Sequence, residues 1–433
     1  MTSEFPPQHL LIVSGGGDLP DQARANWPGL RTTVICRPEV APRLRSRERI
    51  QRTLVLREDA PVEEWVAAAR FVHTVDPVDR VTNFSEKDVD KTAAIAEAFG
   101  MPWHTRETVT AVADKVLMRR RLAEAGVDDT VAEVVHDADD IRKLADRVGY
   151  PLICKPVRGV ASQGVTRLDG PQDIERALDW GRQGADGLDS ADLLVERFHQ
   201  GTEYSVECLS ENGEHLVACV TLKVSEHRHF VELGHVLPAP LTDPEHDRIA
   251  ATVRATLDAL GIREGVTHTE VLVTDDAVRI IETHLRPAGD EIPYLLKRAR
   301  GIDLIDALAR QSLGLPALGA ARETLAAAQA GAPRYAAIWH ACPDAVGTLV
   351  SVSGVEEARA LDGVFDVDLY VEPGGELTGV SGSFARAAHV CAEGAGPHEA
   401  LERARSAAQL LVFTVASAGV PARHGDPLPT ATA

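Results

Sequence analysis

The stretch Ile280 to Leu296, IIETHLRPAGDEIPYLL, places a carboxylate, an imidazole and a guanidinium at alternate positions, Glu282, His284 and Arg286, before Pro287 and Gly289 end the run. Alternate side chains of a strand share a face, so these three form one polar row, with Ile281 and Thr283 on the other side. Upstream, THTEVLVTDDAVRIIE reads as a hairpin, and an odd loop over Asp275 to Ala277 sets Glu270 opposite Glu282. Ionised carboxylates facing each other across a ladder repel, so the pair is favourable only with a cation between them or with one proton retained. Oxygen-only ligation favours Mg²⁺ over zinc. A solvated sheet face with an Arg–Glu pair explains the same residues, and the stretch by itself does not choose.

Two other places could meet an anion or a nucleotide. Lys155 follows the apolar run PLIC and leads into VRGVASQGV, where Gly159 and Gly164 let backbone N–H groups approach a phosphate. No GK[ST] follows, so this is not a Walker loop, and an ordinary hairpin beside a lysine is the competing reading. Glu196 closes LLVER, and Glu203 opens the next strand after Gly201. Backbone groups at such a strand end can hydrogen-bond a purine edge, and Glu203 can accept from ribose hydroxyls; surface acids at a hairpin are the alternative. Gly15, Gly16 and Gly17 lack GxGxxG spacing and read as a strand-exit turn.

These residues need elements to hold them. HLLIVSGGGDLP, TTVICRP and RFVHTVDPVDRVTNFSE alternate with helical stretches such as VEEWVAAA, the pattern of a small α/β unit with a parallel sheet. TVTAVADKVLMRRRLAEAGV has apolar residues at helical spacing up to Gly126, which predicts one helix with Lys115 near its middle. Strands around the VRGVASQGV loop give a flap. A second α+β unit follows, then a C-terminal unit ending in the helix PHEALERARSAAQLLVFTV, with PARHGDPLPTATA as a disordered tail.

The whole chain bounds the partners. Its 433 residues, 44% hydrophobic and 25% charged, suffice for several packed units. A formal charge of −20 argues against nucleic acid or an anionic membrane as the main partner, since both are bound through clustered Lys and Arg. The six cysteines are dispersed without a CxxC, which fits a reducing cytoplasm. The HLLIV run lacks a basic flank and no apolar run reaches membrane length, so neither an export signal nor a span is expected.

In chain order, DKVLMRRRLAEAGV, VGYPLICKPVRGVASQGV, LLVERFHQGTEYSVE, HFVELGHVLPAPL, GVTHTEVLVTDDAVRIIETHLRPAGDEI and GIDLIDALARQSLG resemble the motifs of the ATP-grasp superfamily. The resemblance runs from Ser14 to Ala418, and VELGH and LRPAGD place it nearest the L-amino-acid ligase branch of carboxylate–amine ligases. It implies an ATP-grasp fold, α/β and α+β, with an N-terminal Rossmann-like (pre-ATP-grasp) domain over 1–108, a small subdomain with flap over 109–195, a large subdomain over 196–330, a C-terminal lid-type α+β domain over 331–420, and a tail over 421–433. ATP and Mg²⁺ are the implied cofactors, two ions with Mn²⁺ able to substitute. Lys115 and Lys155 match the two ATP lysines, and the Arg158 to Val165 loop, with Gly159, Ser162 and Gly164, matches the flap over the phosphates. Glu196, Arg197, Phe198 and Glu203 match the adenine and ribose contacts, and Glu270 and Glu282 the metal carboxylates. Arg286 matches the arginine that stabilises charge on the acyl phosphate and tetrahedral adduct; Glu232 and His235 match the amino-acid pocket, and Asp290 stands at its edge.

Three positions depart from the family pattern. His284 stands where relatives carry Asn and is excluded from the metal set, because imidazole is a poor Mg²⁺ ligand. Ala161 replaces a flap glycine. Asp290 replaces a bulky aromatic, implying a roomier pocket or one that attracts a cationic amine, unless it is simply solvated. The implied activity is ATP-dependent coupling of an amino-acid carboxylate to an amine, releasing ADP and phosphate. Loading of a carrier-protein thiol, with LKRAR (Leu296 to Arg300) as a docking patch, and a non-catalytic nucleotide-binding regulator are the alternatives. A homodimer is common in the family it resembles.

Overall fold

Every residue of HLLIV is buried, as a strand covered on both faces requires. It forms β1 (His9–Val13), inside a parallel sheet of order β3-β2-β1-β4 with β2 (Arg31–Cys36), β3 (Arg52–Val55) and β4 (Arg80–Thr82). Leu11 and Val13 pack with Trp65, Ala69 and Val72 of helix Val62–Val75. Leu10 and Ile12 pack instead with Ile305 and Ala309 of the distant helix Leu304–Ser312, fastening this sheet to the rest of the molecule. Gly16 has φ +109°, and a Cβ there would lie 2.5 Å from Phe84 Cβ, so the turn after β1 needs a glycine. This computed structural model describes the chain apart from residues 1–7, 18, 160–162, 185–191, 227–229, 380–384, 417–420 and 424–433, and the backbone alone at 421–423.

The single helix expected around Lys115 is two helices, Arg106–Ala113 and Lys115–Glu124. Asp114 breaks the run: its carboxylate accepts from the N–H groups of Val116 and Leu117 at 2.9 and 3.0 Å, capping the second helix. Lys115 is therefore that helix's first residue, not a central one. A small antiparallel sheet of order β5-β8-β6-β7 follows, from β5 (Ala132–Val135), β6 (Leu152–Pro156), β7 (Thr166–Leu168) and β8 (Leu193–Arg197).

The largest sheet has eight strands in the order β13-β12-β9-β10-β11-β14-β18-β16. Its members are β9 (Thr202–Glu211), β10 (Glu214–Glu226), β11 (Val231–Leu237), β12 (Gly265–Val273), β13 (Val278–His284), β14 (Tyr335–Ala341), β16 (Val364–Leu369) and β18 (Ala388–Gly394). The sheet therefore continues across 330/331. Of the described strands after residue 330, β15 (Val346–Ser353), β17 (Glu376–Thr378), β19 (Val412–Val415) and β20 (Pro421–Arg423) form a separate sheet, and β20 pairs with β19 where a tail was expected.

The hairpin that opened the sequence reading pairs Glu270 with Glu282, but by a different route. The loop spans the even number of residues 274–277, closed by the Thr274 N–H to Ala277 carbonyl bond at 2.9 Å. Val271 pairs with Ile280 and Glu270 with Glu282, so Ile281 is an extra, bulged residue that restores the register.

Candidate active site

On β9, Val206 and Cys208 pack towards helix Asp243–Ala259, which turns Glu203, Ser205 and Glu207 to the opposite face. Glu270 of β12 pairs with Ser205 and His268 with Glu207; on β13, Glu282 and His284 lie opposite Glu270 and His268. The two carboxylates thus stand side by side. Lys115 Nζ lies 3.0 Å from Glu282 Oε2, while Lys223 Nζ lies 2.8 Å from Glu270 Oε1 and 2.5 Å from Glu232 Oε1. His284 reaches Glu282 through Nε2 at 3.2 Å and Glu86 through Nδ1 at 2.6 Å. Arg286 donates from Nη2 and Nε to Glu86 Oε2 at 2.6 and 2.8 Å, although β13 ends two residues before it.

On the small-sheet side, Lys155 Nζ lies 2.8 Å from Glu196 Oε2, and Arg119 Nε donates to Glu196 Oε1 at 2.7 Å. Lys115 Nζ also donates to the carbonyl of Gly159 at 3.3 Å, touching the flap loop. Beyond Glu232 lies a second polar group. Asp290 Oδ2 is 3.0 Å from His235 Nε2 and accepts from Arg386 Nη1 at 2.6 Å, and Arg386 Nη1 is 3.3 Å from His340 Nε2.

Burial opposes every charge here, and the partners decide the outcome. Burial alone would raise Glu282, but Lys115 and His284 hold it well below the usual carboxylate range. Glu270 is likewise held low against burial, chiefly by Lys223 and then His268, with Glu282 repelling it. Glu86, despite burial, falls to about 2 beside His284 and Arg286. Lys115 overcomes burial through Glu282 and Glu196 and lies above an ordinary lysine. Lys155 lies below one, because burial and the neighbouring Arg119 and Lys115 outweigh its single anion, Glu196.

The profile of the ATP-grasp domain family matches residues 148–293, and that of L-amino acid ligase C-terminal domain 2 matches residues 340–416. The chain carries an ATP-grasp domain followed by an L-amino acid ligase C-terminal domain. An uncharacterized protein (y4rH) of Sinorhizobium fredii is 29% identical over 295 residues, covering 68% of this chain and 59% of that protein. An alanine–anticapsin ligase of Bacillus subtilis is 25% identical over 270 residues, covering 58% of this chain and 57% of the relative. The chain thus spans less than two thirds of these relatives' lengths. The crystal structure of L-amino acid ligase from Bacillus licheniformis superposes with a TM-score of 0.79 at 23% identity, covering 95% of this chain and 99% of that one, which establishes the shared fold.

Within this ATP-grasp fold, Lys115, Glu270, Glu282, Arg286 and Glu232 converge on one face, and Lys155 and Glu196 border it. Ser162 lies outside the described residues. Gly164 has φ +74° and packs against Pro156, where a Cβ would come within 3.0 Å. The Glu196 carboxylate, expected near adenine, is enclosed by Arg119 and Lys155. The N–H groups of Arg197 and Phe198 bond the carbonyls of Val131 and Pro151. Glu203 accepts from Ser225 Oγ at 2.9 Å. Asp290 is not solvated: burial would raise its carboxyl, but the imidazoles of His235 and His340, and then Arg386, hold it well below the carboxylate range.

Sequence reasoning missed Glu86, Arg119, Lys223, His340 and Arg386. Lys223 left a signal, a lone charge in the apolar strand VACVTLKV; the others meet partners far away in sequence and left none. The donors Glu270 and Glu282 fit a hard divalent cation: all oxygen, ionised and mutually repelling, so that a cation between them would relieve the strain. The ligand atoms of His235, Asp290 and His340 also lie within 4.8 Å of one another. There the Arg386 guanidinium already meets the Asp290 charge, and no metal is assigned.

Proposed function

We propose that this protein is an ATP-dependent carboxylate–amine ligase that joins an amino-acid carboxylate to an amine and releases ADP and phosphate. The observation that carries the reading is the cross-strand pair Glu270 and Glu282, flanked by Lys115, Lys155 and Arg286 within an ATP-grasp fold. A carboxylate is a poor electrophile at neutral pH, so it must first become an acyl phosphate with a stable leaving group.

Phosphoryl transfer asks the protein for positioning and charge neutralisation. Lys115 and Lys155 bring two cations to a chain of net charge −20 and hold the phosphates. Glu270 and Glu282 would hold Mg²⁺, which when bound neutralises phosphate charge. The flap around Gly159 and Gly164 closes over the phosphates and excludes water. Arg286 releases Glu86 and stabilises the negative charge that grows first on the acyl phosphate and then on the tetrahedral adduct. Glu232, His235 and Asp290 line the amino-acid pocket.

The carrier-protein reading gains nothing from LKRAR, because Lys297 pairs with Asp303 at 2.7 Å and Arg298 with Glu393 at 2.8 Å while stacking on Phe365. Incubation with Mg²⁺, ATP, pooled amino acids and hydroxylamine tests the chemistry directly. The proposal expects amino-acid hydroxamates that require ATP; ATP consumption without any hydroxamate would count against acyl-phosphate formation.

A further inference from the structure

We infer that Arg119 is a positioning residue that joins the nucleotide lysine Lys155 to the carboxylate Glu282, by holding both Glu196 and the bulge in β13. This rests on the proposed function and names the machinery behind it. Arg119 lies one helical turn after Lys115, on the same face of helix Lys115–Glu124. Its side chain is 8% exposed and reaches three separate parts of the fold.

Towards the small sheet it grips Glu196 with both edges of the fork, Nε to Oε1 at 2.7 Å and Nη2 to Oε2 at 3.1 Å. Towards the large sheet, Nη1 donates to the carbonyl of Ile280 at 2.5 Å and Nη2 to that of Ile281 at 3.5 Å. Asp128 completes the clasp, accepting from Arg119 Nη1 at 3.3 Å and from the Ile280 N–H at 2.8 Å. β13 is an edge strand, so these backbone groups have no further strand to pair with. Ile281 is the bulged residue whose insertion sets Glu282 opposite Glu270. Arg119 therefore secures the irregularity on which the two-carboxylate arrangement depends.

The same guanidinium sets the charge available to a phosphate. Glu196 is shared between Arg119 and Lys155, at 2.7 and 2.8 Å. Counting Asp128, which also pairs with Arg119 at 3.3 Å, two cations balance two anions on the nucleotide side. Without Arg119, Glu196 would pair with Lys155 alone, the group would carry one net negative charge, and Lys155 would be held back from an anion. A lysine at position 119 would keep the charge but lose the planar fork.

The test is calorimetric titration of the full chain with Mg²⁺ and ATP, in the absence of amino acids. Arg119→Met is expected to weaken binding about tenfold or more, the scale of one lost charge-assisted hydrogen bond, and Arg119→Lys by less. The double variant Arg119→Met with Glu196→Gln restores the net charge and is expected to recover most of the affinity; it also removes the unpaired buried carboxylate if Arg119→Met alone folds poorly. A purely structural arginine would not be rescued by removing a second polar group. Wild-type-like binding by Arg119→Met, or a double variant no better than the single, would overturn the inference. Wild-type protein that binds no Mg²⁺–ATP would overturn the proposed function itself, and the inference with it.

Discussion

Glu196 shows how far a single residue departs from what its neighbours in sequence imply. LLVERF reads as a strand end beside a nucleotide, yet the carboxylate is buried and held at about 2, because Arg119 and Lys155 more than offset the burial that would raise it. Its folded value lies below the ordinary 4.5, so its contribution to stability is fully present above about pH 4.5 and is lost as pH falls towards 2. Glu196→Gln should therefore cost about 3 kcal/mol near neutrality, the scale for breaking a buried ion pair. The difference from wild type should shrink in denaturant melts as the pH is lowered through that window. A difference independent of pH would mean that Glu196 is not the ionised partner of Arg119 and Lys155. The placement of Glu270 opposite Glu282 was legible from residue type and strand alternation, whereas the role of the pair was implied only by the family resemblance. Arg119 was not legible, since Glu196 lies 77 residues away and nothing local marks one arginine of RRR as buried.

The elements were legible wherever local rules decide them. Alternating β9, the buried run of β1 and the hairpin of β12 and β13 follow from apolar pattern. The helix around Lys115 was misjudged because periodicity runs straight through Asp114, whereas the capping geometry of that carboxylate ends one helix and starts another. The register of β13 was reached for a different reason than expected, an even loop plus a bulge, which spacing alone cannot distinguish from an odd loop. VELGH contains a further element-level constraint. Gly234 lies against β14, and a Cβ there would come within 2.7 Å of the Trp339 ring and 2.8 Å of the Ile338 carbonyl. Gly234→Ala should destabilise the protein by about 1–3 kcal/mol, as overpacking does, and should weaken amino-acid binding by shifting Glu232 and His235. An unchanged melting temperature with unchanged substrate KM would contradict that account of β11.

Across the whole molecule, the loop after the N-terminal sheet reaches the site through the Glu86 carboxylate. Glu86 follows β4 by four residues and joins His284 and Arg286, 198 and 200 residues further along. No sequence pattern foretells a contact of that range, and it brings the loop after the parallel sheet against the end of β13. Glu86→Gln should lower turnover on the order of 10²-fold through misplacement of Arg286, and should speed amide hydrogen exchange in the loop after β4 where it no longer docks. Normal turnover with normal protection would show that the contact is incidental. The central claim is that the acids and cations gathered here couple a carboxylate to an amine at the expense of ATP, and ADP release from purified protein tests it most directly. The assay combines Mg²⁺ and ATP with pooled amino acids and small carboxylic acids, with and without added amines, for wild type and Glu282→Gln. The account predicts ADP release that requires both a carboxylate and an amine and that disappears in the folded Glu282→Gln variant; release that ignores the amine, or that persists at wild-type rate in the variant, would contradict it.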